Sequence, residues 1–225
     1  MSTPSERDIA RWSESLAAIA RTGLAFTENR YERERFEEVL HVAAEMHGTT
    51  SLGFDRESRV EEWMAAVESG TAGYVTPKLA VGAIVGNDLG EVLLIRRADS
   101  GMWLYPTGWC DVGYSAAEVA AKEVFEETGI HAEPLRLVAV IDGLRAGFTA
   151  IPLYSLVFHC RAVGGELNPH PLETTGAGWF SFDNLPSPLA GGAGWVDLAA
   201  RTLANDHRET SFDPPRELPW AMPKG

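Results

Sequence analysis

The sequence predicts an α/β (α+β) protein, a mixed sheet with interleaved helices that follows a helical extension. Three observations carry that expectation. The first 70 residues show apolar spacing of the helical kind and no convincing strand. From Tyr74 onward, runs with strand texture alternate with helical ones. At 225 residues the chain suits one medium domain, or a domain with a small appendage, and is long enough to bury a core.

Taken in order, Ile9, Trp12, Leu16 and Ile19 recur at helical spacing, as do Phe36, Val39, Leu40, Ala43 and Met46. Val60, Trp63, Met64 and Val67 mark a third, shorter helix, with breaks near RTGLAFTENR and HGTTSLGFD. Three short amphipathic helices close no core unaided, so their apolar faces are expected to pack on the rest of the chain or on another subunit. LAVGAIV and EVLLIRR, separated by GNDLG, spell a hairpin. A loop rich in Gly, Trp and Pro, ADSGMWLYPTGWCDVGY, leads to a helix from about Ser115, a good N-cap, to Thr128, with Gly129 in the usual left-handed stop position. EPLRLVAVID, IPLYSLVFHCRAV and GAGWFSF read as strands, GWVDLAARTLAND as a closing helix, and SFDPPRELPWAMPKG as an irregular end. The expected boundaries are a helical domain over 1–70, a catalytic domain over 74–210 and a Pro-rich tail over 211–225.

A formal net charge of -13 argues against a nucleic-acid partner or an anionic membrane surface, both of which need a positive field. It leaves room for a small anionic substrate carried in with divalent metal, which reverses the local sign. The opening MSTPSERDIARWSES has no apolar core of a secretory signal, and runs such as LAVGAIV are too short to span a bilayer. Cys110 and Cys160 form no C-x-x-C pair and read as packed small hydrophobes, so a reduced, cytoplasmic setting is expected.

The stretch KEVFEETG, residues 122–129, crowds Glu123, Glu126 and Glu127 against a helix end. Residues three and four apart share a helical face, and like charges there destabilise a helix by roughly 0.2–0.5 kcal/mol per pair. The partial negative charge of the helix C-terminus adds to that cost. A positive partner is therefore expected. Hard divalent cations take oxygen ligands and join carboxylates to phosphates, which this arrangement suits.

GWCDVGYSAAEVAAKEVFEETGI, from Gly108 to Ile130, resembles the Nudix box, G-x5-E-x7-R-E-U-x-E-E-x-G-U with U aliphatic. Gly108, Glu123, Val124, Glu126, Glu127, Gly129 and Ile130 fall in register, whereas Tyr114 stands in the place of the first Glu and Lys122 in that of the Arg. In the family those two mainly support the loop and orient the metal-binding carboxylates, and Asp111 and Glu118 lie close enough in sequence to share that work. YVTPKLAVGAIV, WLYPTGWCDVG and YSLVFHCRAVGGEL are similar to the Nudix sheet of a two-domain group with a helical N-terminal extension, hydrolases of nucleoside diphosphates linked to a second moiety X. The resemblance implies an α/β/α sandwich, a homodimer formed through the helices, and Mg2+ or Mn2+ as cofactor.

The implied chemistry is attack of water on one phosphorus of a diphosphate, giving nucleoside monophosphate and X-phosphate. Glu123, Glu126, Glu127 and the Thr107 carbonyl are the implied metal ligands; Glu126 or Glu127 could also orient or deprotonate water, and Glu173 is a candidate base from outside the box. Gly108, Arg96, Arg97 and Arg145 are expected on the substrate side, with Arg96 and Arg97 pointing to opposite faces at a strand end. Trp103, Tyr105 and Trp109 read as packing groups, with base stacking as the alternative. ADP-ribose or CDP-choline-like compounds fit the group; nucleoside triphosphate clearance and a non-catalytic regulator are the other readings.

Overall fold

The structure, a computed structural model, describes residues 3–50, 56–68, 75–111, 113–169, 172–191, 194–206 and 209–216. The expected break at 70–74 and the tail beyond 216 lie outside these. In chain order the elements are α1 (Glu6–Phe26), α2 (Arg30–Gly48), α3 (Arg56–Glu68), β1 (Lys78–Gly86), β2 (Val92–Arg97), β3 (Trp103–Leu104), β4 (Thr107–Trp109), α4 (Ala116–Thr128), β5 (Ile130–Asp142), α5 (Gly143–Ala146), β6 (Leu153–Gly165), β7 (Thr174–Phe180), α6 (Gly194–Leu203) and β8 (Ser211–Phe212). They form two compact units, Met1–Lys78 with Asp142–Leu153, and Leu79–Ile141 with Tyr154–Gly225.

In the first unit, Ser5 opens α1 with a capping box, its side chain accepting from the Asp8 N–H while the Asp8 carboxylate accepts from the Ser5 N–H. The helices bury Ala17, Ala20, Leu24, Leu40, Ala43, Ala44 and Trp63. Of the α1 residues at the expected spacing, Leu16 packs against this core, whereas Trp12 and Ile19 stay exposed at 40% and 63% in the single chain. The reason is close approach: a Cβ on Gly23 would stand 2.3 Å from the Phe36 ring, so α1 meets α2 through its small residues. The buried stripe is therefore Ala10, Ser13, Glu14, Ala17, Ala20 and Leu24, one step round from the large apolar residues.

Glu14, 3% exposed, faces His47 at 4.0 Å and leaves Oε1 without a hydrogen bond among the described residues. Burial pushes its carboxyl up to about 7, against the attraction of Arg59 and Arg21 and with some repulsion from Glu62. A folded value above the unfolded 4.5 means that stability present at low pH is lost as pH climbs from about 4.5 to about 7. His47 runs the other way: burial and Arg59 hold it below 6.5, so its contribution fades as pH falls below that value. Thermal melts of the wild type and Glu14→Gln across this range isolate the Glu14 part. The variant should be the more stable above pH 7, by about 1–3 kcal/mol, with the gap closing toward pH 5.

The second unit is built on an eight-stranded sheet, ordered β3-β2-β1-β6-β5-β8, with β4 on β1 and β7 on β2. β1 and β2 are the expected antiparallel hairpin, turned at Asn87, whose Oδ1 accepts from the Leu89 and Glu91 N–H groups at 3.0 Å each. Parallel pairing of β5 with β8 makes the sheet mixed. It also gives extended structure to Ser211 and Phe212, the start of the segment expected to be irregular.

Both sheet faces are covered, which explains why β1 and β2 read as apolar runs rather than as alternation. Ile84, Val92 and Leu94 pack with Trp195 and Ala199 of α6. On the other face Val81 packs with Val119 and Ala120 of α4, and Ala83, Val85 and Leu93 pack with Val124. The sheet thus lies between α4 and α6. Cys160 is a buried free thiol in this core, pushed up to about 12 by burial, as expected of a packing residue.

Candidate active site

α4 forms where the sequence places it. Ser115 accepts from the Glu118 N–H, Glu118 returns a bond to the Ser115 N–H, and Gly129 ends the helix at φ 76°. Glu118 is thereby occupied as the helix cap. No basic residue lies in the last turn, so Lys122, one turn back, is the helix's own relief for the acidic end.

Only the tertiary structure shows what faces that end. Part of the Gly, Trp and Pro loop is β4, which pairs antiparallel with β1, Gly82 opposite Thr107 and Val81 opposite Gly108. The Thr107 hydroxyl donates to the Val81 carbonyl at 2.6 Å, and its N–H donates to Glu127 Oε2 at 2.9 Å. A Cβ on Gly108 would lie 2.2 Å from the Glu123 carboxyl carbon, so glycine is what lets that carboxylate rest on the strand. From the other side, the Thr174 hydroxyl donates to the Glu127 carbonyl at 3.3 Å.

The electrostatics follow from this packing. Glu127 is buried, and burial pushes its carboxyl up to about 8 against the pull of the Thr107 N–H, with Glu123 repulsion adding to the rise. Glu123 is half-buried and also raised, by burial first, with relief from Lys122 and opposition from Glu126, Glu173 and Asp111. The Glu173 charge is felt by both. Its carbonyl accepts from Ala98 at 2.9 Å, which fixes the Glu173 backbone beside the end of β2.

The structure therefore brings together Thr107, Gly108, Glu123 and Glu127, with Glu173 near enough to repel. Glu126 is exposed and turned toward Lys122, whose ammonium lies 2.6 Å from Glu126 Oε2 and 3.2 Å from Asp111 Oδ2. Among the described residues no three Asp, Glu, His or Cys side chains converge closely enough to hold a metal. The donor chemistry nonetheless fits a hard divalent cation: carboxylate oxygens only, several mutually repelling charges and a single backbone donor on Glu127.

Of the arginines, Arg97 is committed to Asp99 through two bonds of 2.9 and 2.6 Å, which pull Asp99 down to about 2, although its charge still reaches Glu127. Arg96 donates Nε–H to the Gly101 carbonyl at 3.0 Å. Arg145 belongs to the first unit, in α5, where its N–H donates to Asp142. Tyr105 and Trp103 pack edge-on against Trp195 and Phe180, at 5.4 and 5.1 Å, whereas Trp109 is half exposed. Sequence reasoning missed Asp99 and Thr174. The R-A-D spacing after β2 is a signal for the first; nothing local marks the second.

Comparison with known proteins follows the same division of the chain. Residues 76–197 match the model of the NUDIX domain, and residues 7–52 match the UDP-X-like, N-terminal oligomerisation domain. YjhB of Bacillus subtilis (strain 168), which bears the provisional name ADP-ribose pyrophosphatase, is 33% identical over 205 residues, 89% of this chain and 95% of that protein. A solved UDP-X diphosphatase is 29% identical and covers 93% of this chain and 100% of its own at a TM-score of 0.56, and a solved Streptococcus suis ADP-ribose pyrophosphatase matches at a TM-score of 0.54. The latter is 37% identical and covers 61% of this chain and 100% of its own.

Proposed function

We propose, from the premise that this chain belongs to the Nudix hydrolase family, that it hydrolyses the pyrophosphate bond of a nucleoside diphosphate linked to a second moiety, of the ADP-ribose or CDP-choline kind. The observation that carries this is the pair Glu123 and Glu127, pressed against the Thr107–Gly108 backbone, where burial and mutual repulsion outweigh the relief from Lys122, Arg97 and the Thr107 N–H. Likeness to proteins named for ADP-ribose and UDP-X over most of the chain supports the substrate class.

Glu123 and Glu127 would hold Mg2+ or Mn2+, with Glu126 recruited once it leaves Lys122 and the Thr107 carbonyl beside them. A bound cation of this kind neutralises diphosphate charge and lowers the pKa of the attacking water. The chain's own contribution is placement. Thr107 fixes one carboxylate and Gly108 makes room for the other. Glu173, whose charge reaches both, would accept a proton from water. Arg96, freer than Arg97, is the stronger phosphate candidate of the two.

The deciding experiment is a product assay by mass spectrometry over ADP-ribose, CDP-choline, UDP-sugars and dNTPs, with and without Mg2+ or Mn2+. Metal-dependent release of nucleoside monophosphate and X-phosphate is expected. Turnover of dNTPs alone would move the reading to triphosphate clearance; turnover of none, with metal bound, would leave a nucleotide-binding regulator.

A homodimer through the first unit belongs to the same proposal. Trp12, Ile19 and Phe26, spaced by seven on α1, are 40%, 63% and 59% exposed in the single chain, and the matched N-terminal model is that of an oligomerisation domain. No helix among the described residues is long and apolar enough to cross a membrane. Ile19→Asp with Phe26→Asp is expected to halve the mass seen by light scattering; an unchanged mass would place the interface elsewhere.

A further inference from the structure

We infer that the Lys122 ammonium is a latch shared between Asp111 and Glu126, and that Asp111 sets how firmly Glu126 is withheld from a bound divalent cation. The inference rests on the metal-dependent reading above and concerns how that site is held ready. Lys122 Nζ lies 2.6 Å from Glu126 Oε2, a charge-assisted bond at the short end for its kind, and 3.2 Å from Asp111 Oδ2. One ammonium thus joins the loop before α4 to the carboxylate that a cation also needs.

Three features give the latch its logic. First, Lys122 is the charge that relieves the acidic end: among the influences on Glu123 it is the one nearby group that favours the ionised form. Without metal it keeps the carboxylates together. Second, Glu126 cannot serve the ammonium and a cation equally well, so apparent metal affinity falls by the fraction of chains in which Glu126 is held. Third, the pair releases easily. Lys122 is about a third exposed and Glu126 nearly half, and exposed pairs of this kind are worth little. The order of the pair, Lys before Glu at i,i+4, is also the weaker one on a helix.

Asp111 enters as a competitor for Lys122. Each moment that the ammonium leans toward Asp111 frees Glu126. Asp111 is then a positioning residue that acts through Lys122, not a metal ligand, and the departure at 114 needs no other compensation: Tyr114 is 57% exposed and Glu118 is spent on the helix cap.

The test is a double-mutant cycle on the full-length, substrate-free protein, with Mn2+ binding read by electron paramagnetic resonance at 0.15 M salt, where distant charges are largely screened. Lys122→Gln should tighten Mn2+ about two- to fivefold, and Lys122→Arg should restore the wild-type value. Asp111→Asn should weaken Mn2+ about twofold when Lys122 is present and lose most of that effect in the Lys122→Gln background. Thermal melts confirm that all four variants are folded. An Asp111→Asn effect equal in both backgrounds, or weaker binding in Lys122→Gln, overturns the latch while leaving the hydrolase reading intact. A wild type that binds no Mn2+ overturns both.

Discussion

Glu127→Gln is expected to lower kcat/KM by at least about 100-fold, the upper end of what loss of even an outer partner of a metal site costs. The same change should make the metal-free protein more stable at pH 8. Both effects come from one fact. Glu127 is buried, and burial holds its carboxyl up at about 8, above the ordinary 4.5. With the folded value raised, stability is fully present below about 4.5 and is lost as pH rises toward 8. Gln keeps an oxygen for the Thr107 N–H and carries no charge to desolvate, so the variant should gain about 1–3 kcal/mol at pH 8 in chelator. Activity and melting temperature, measured together, must move in opposite directions. A variant that keeps its activity would remove Glu127 from the machinery, and one that loses stability at pH 8 would show that its charge is paired.

Gly108→Ala separates geometry from charge. The added Cβ would stand 2.2 Å from the Glu123 carboxyl carbon, a clash that must be relieved. The group in its way is the end of a flexible side chain rather than backbone, so Glu123 swings aside and the fold should lose no more than about 1 kcal/mol, the low end for overpacking. Displacement by about 1 Å is enough to cost roughly 100-fold in rate where reacting groups must be aligned. Kinetics beside a melting curve would show a folded, nearly inactive protein with weakened Mn2+ binding. Wild-type turnover in this variant would mean that Glu123 need not rest on β4 to work.

The two variants probe parts of the site that differ in how they could be foreseen. Glu127 stands in a local pattern: a capped helix of about four turns, three glutamates and a glycine stop can be read from thirteen consecutive residues and their caps. The partner of Gly108 cannot, because Gly108 and Glu123 meet only after β4 has docked on β1. The same distinction covers the arginines. Their alternation at the end of β2 is a property of any strand, but that Arg97 is tied to Asp99 while Arg96 reaches a carbonyl depends on the turn that follows.

The helical unit makes the point from the other direction. Over the first 70 residues periodicity alone predicted three helices, and the described residues there form three, α1 to α3. It did not predict which face of α1 is buried, since hydrophobicity favours Trp12 and Ile19 whereas close packing against α2 favours Ala17, Ala20 and Gly23. Left exposed, the large residues become available to a partner.

By itself, then, the sequence determined the helices, the hairpin, the α4 caps and the crowded acidic end of α4, because each depends on spacing, capping and residue order within a few positions. Tertiary structure decided the rest: that Thr107 donates to Glu127, that Thr174 braces it, that Lys122 is divided between Asp111 and Glu126, and that α1 buries alanines. Apart from Lys122–Glu126, an i,i+4 pair within α4, those contacts join residues on different segments, and only the packing of those segments sets how near they come.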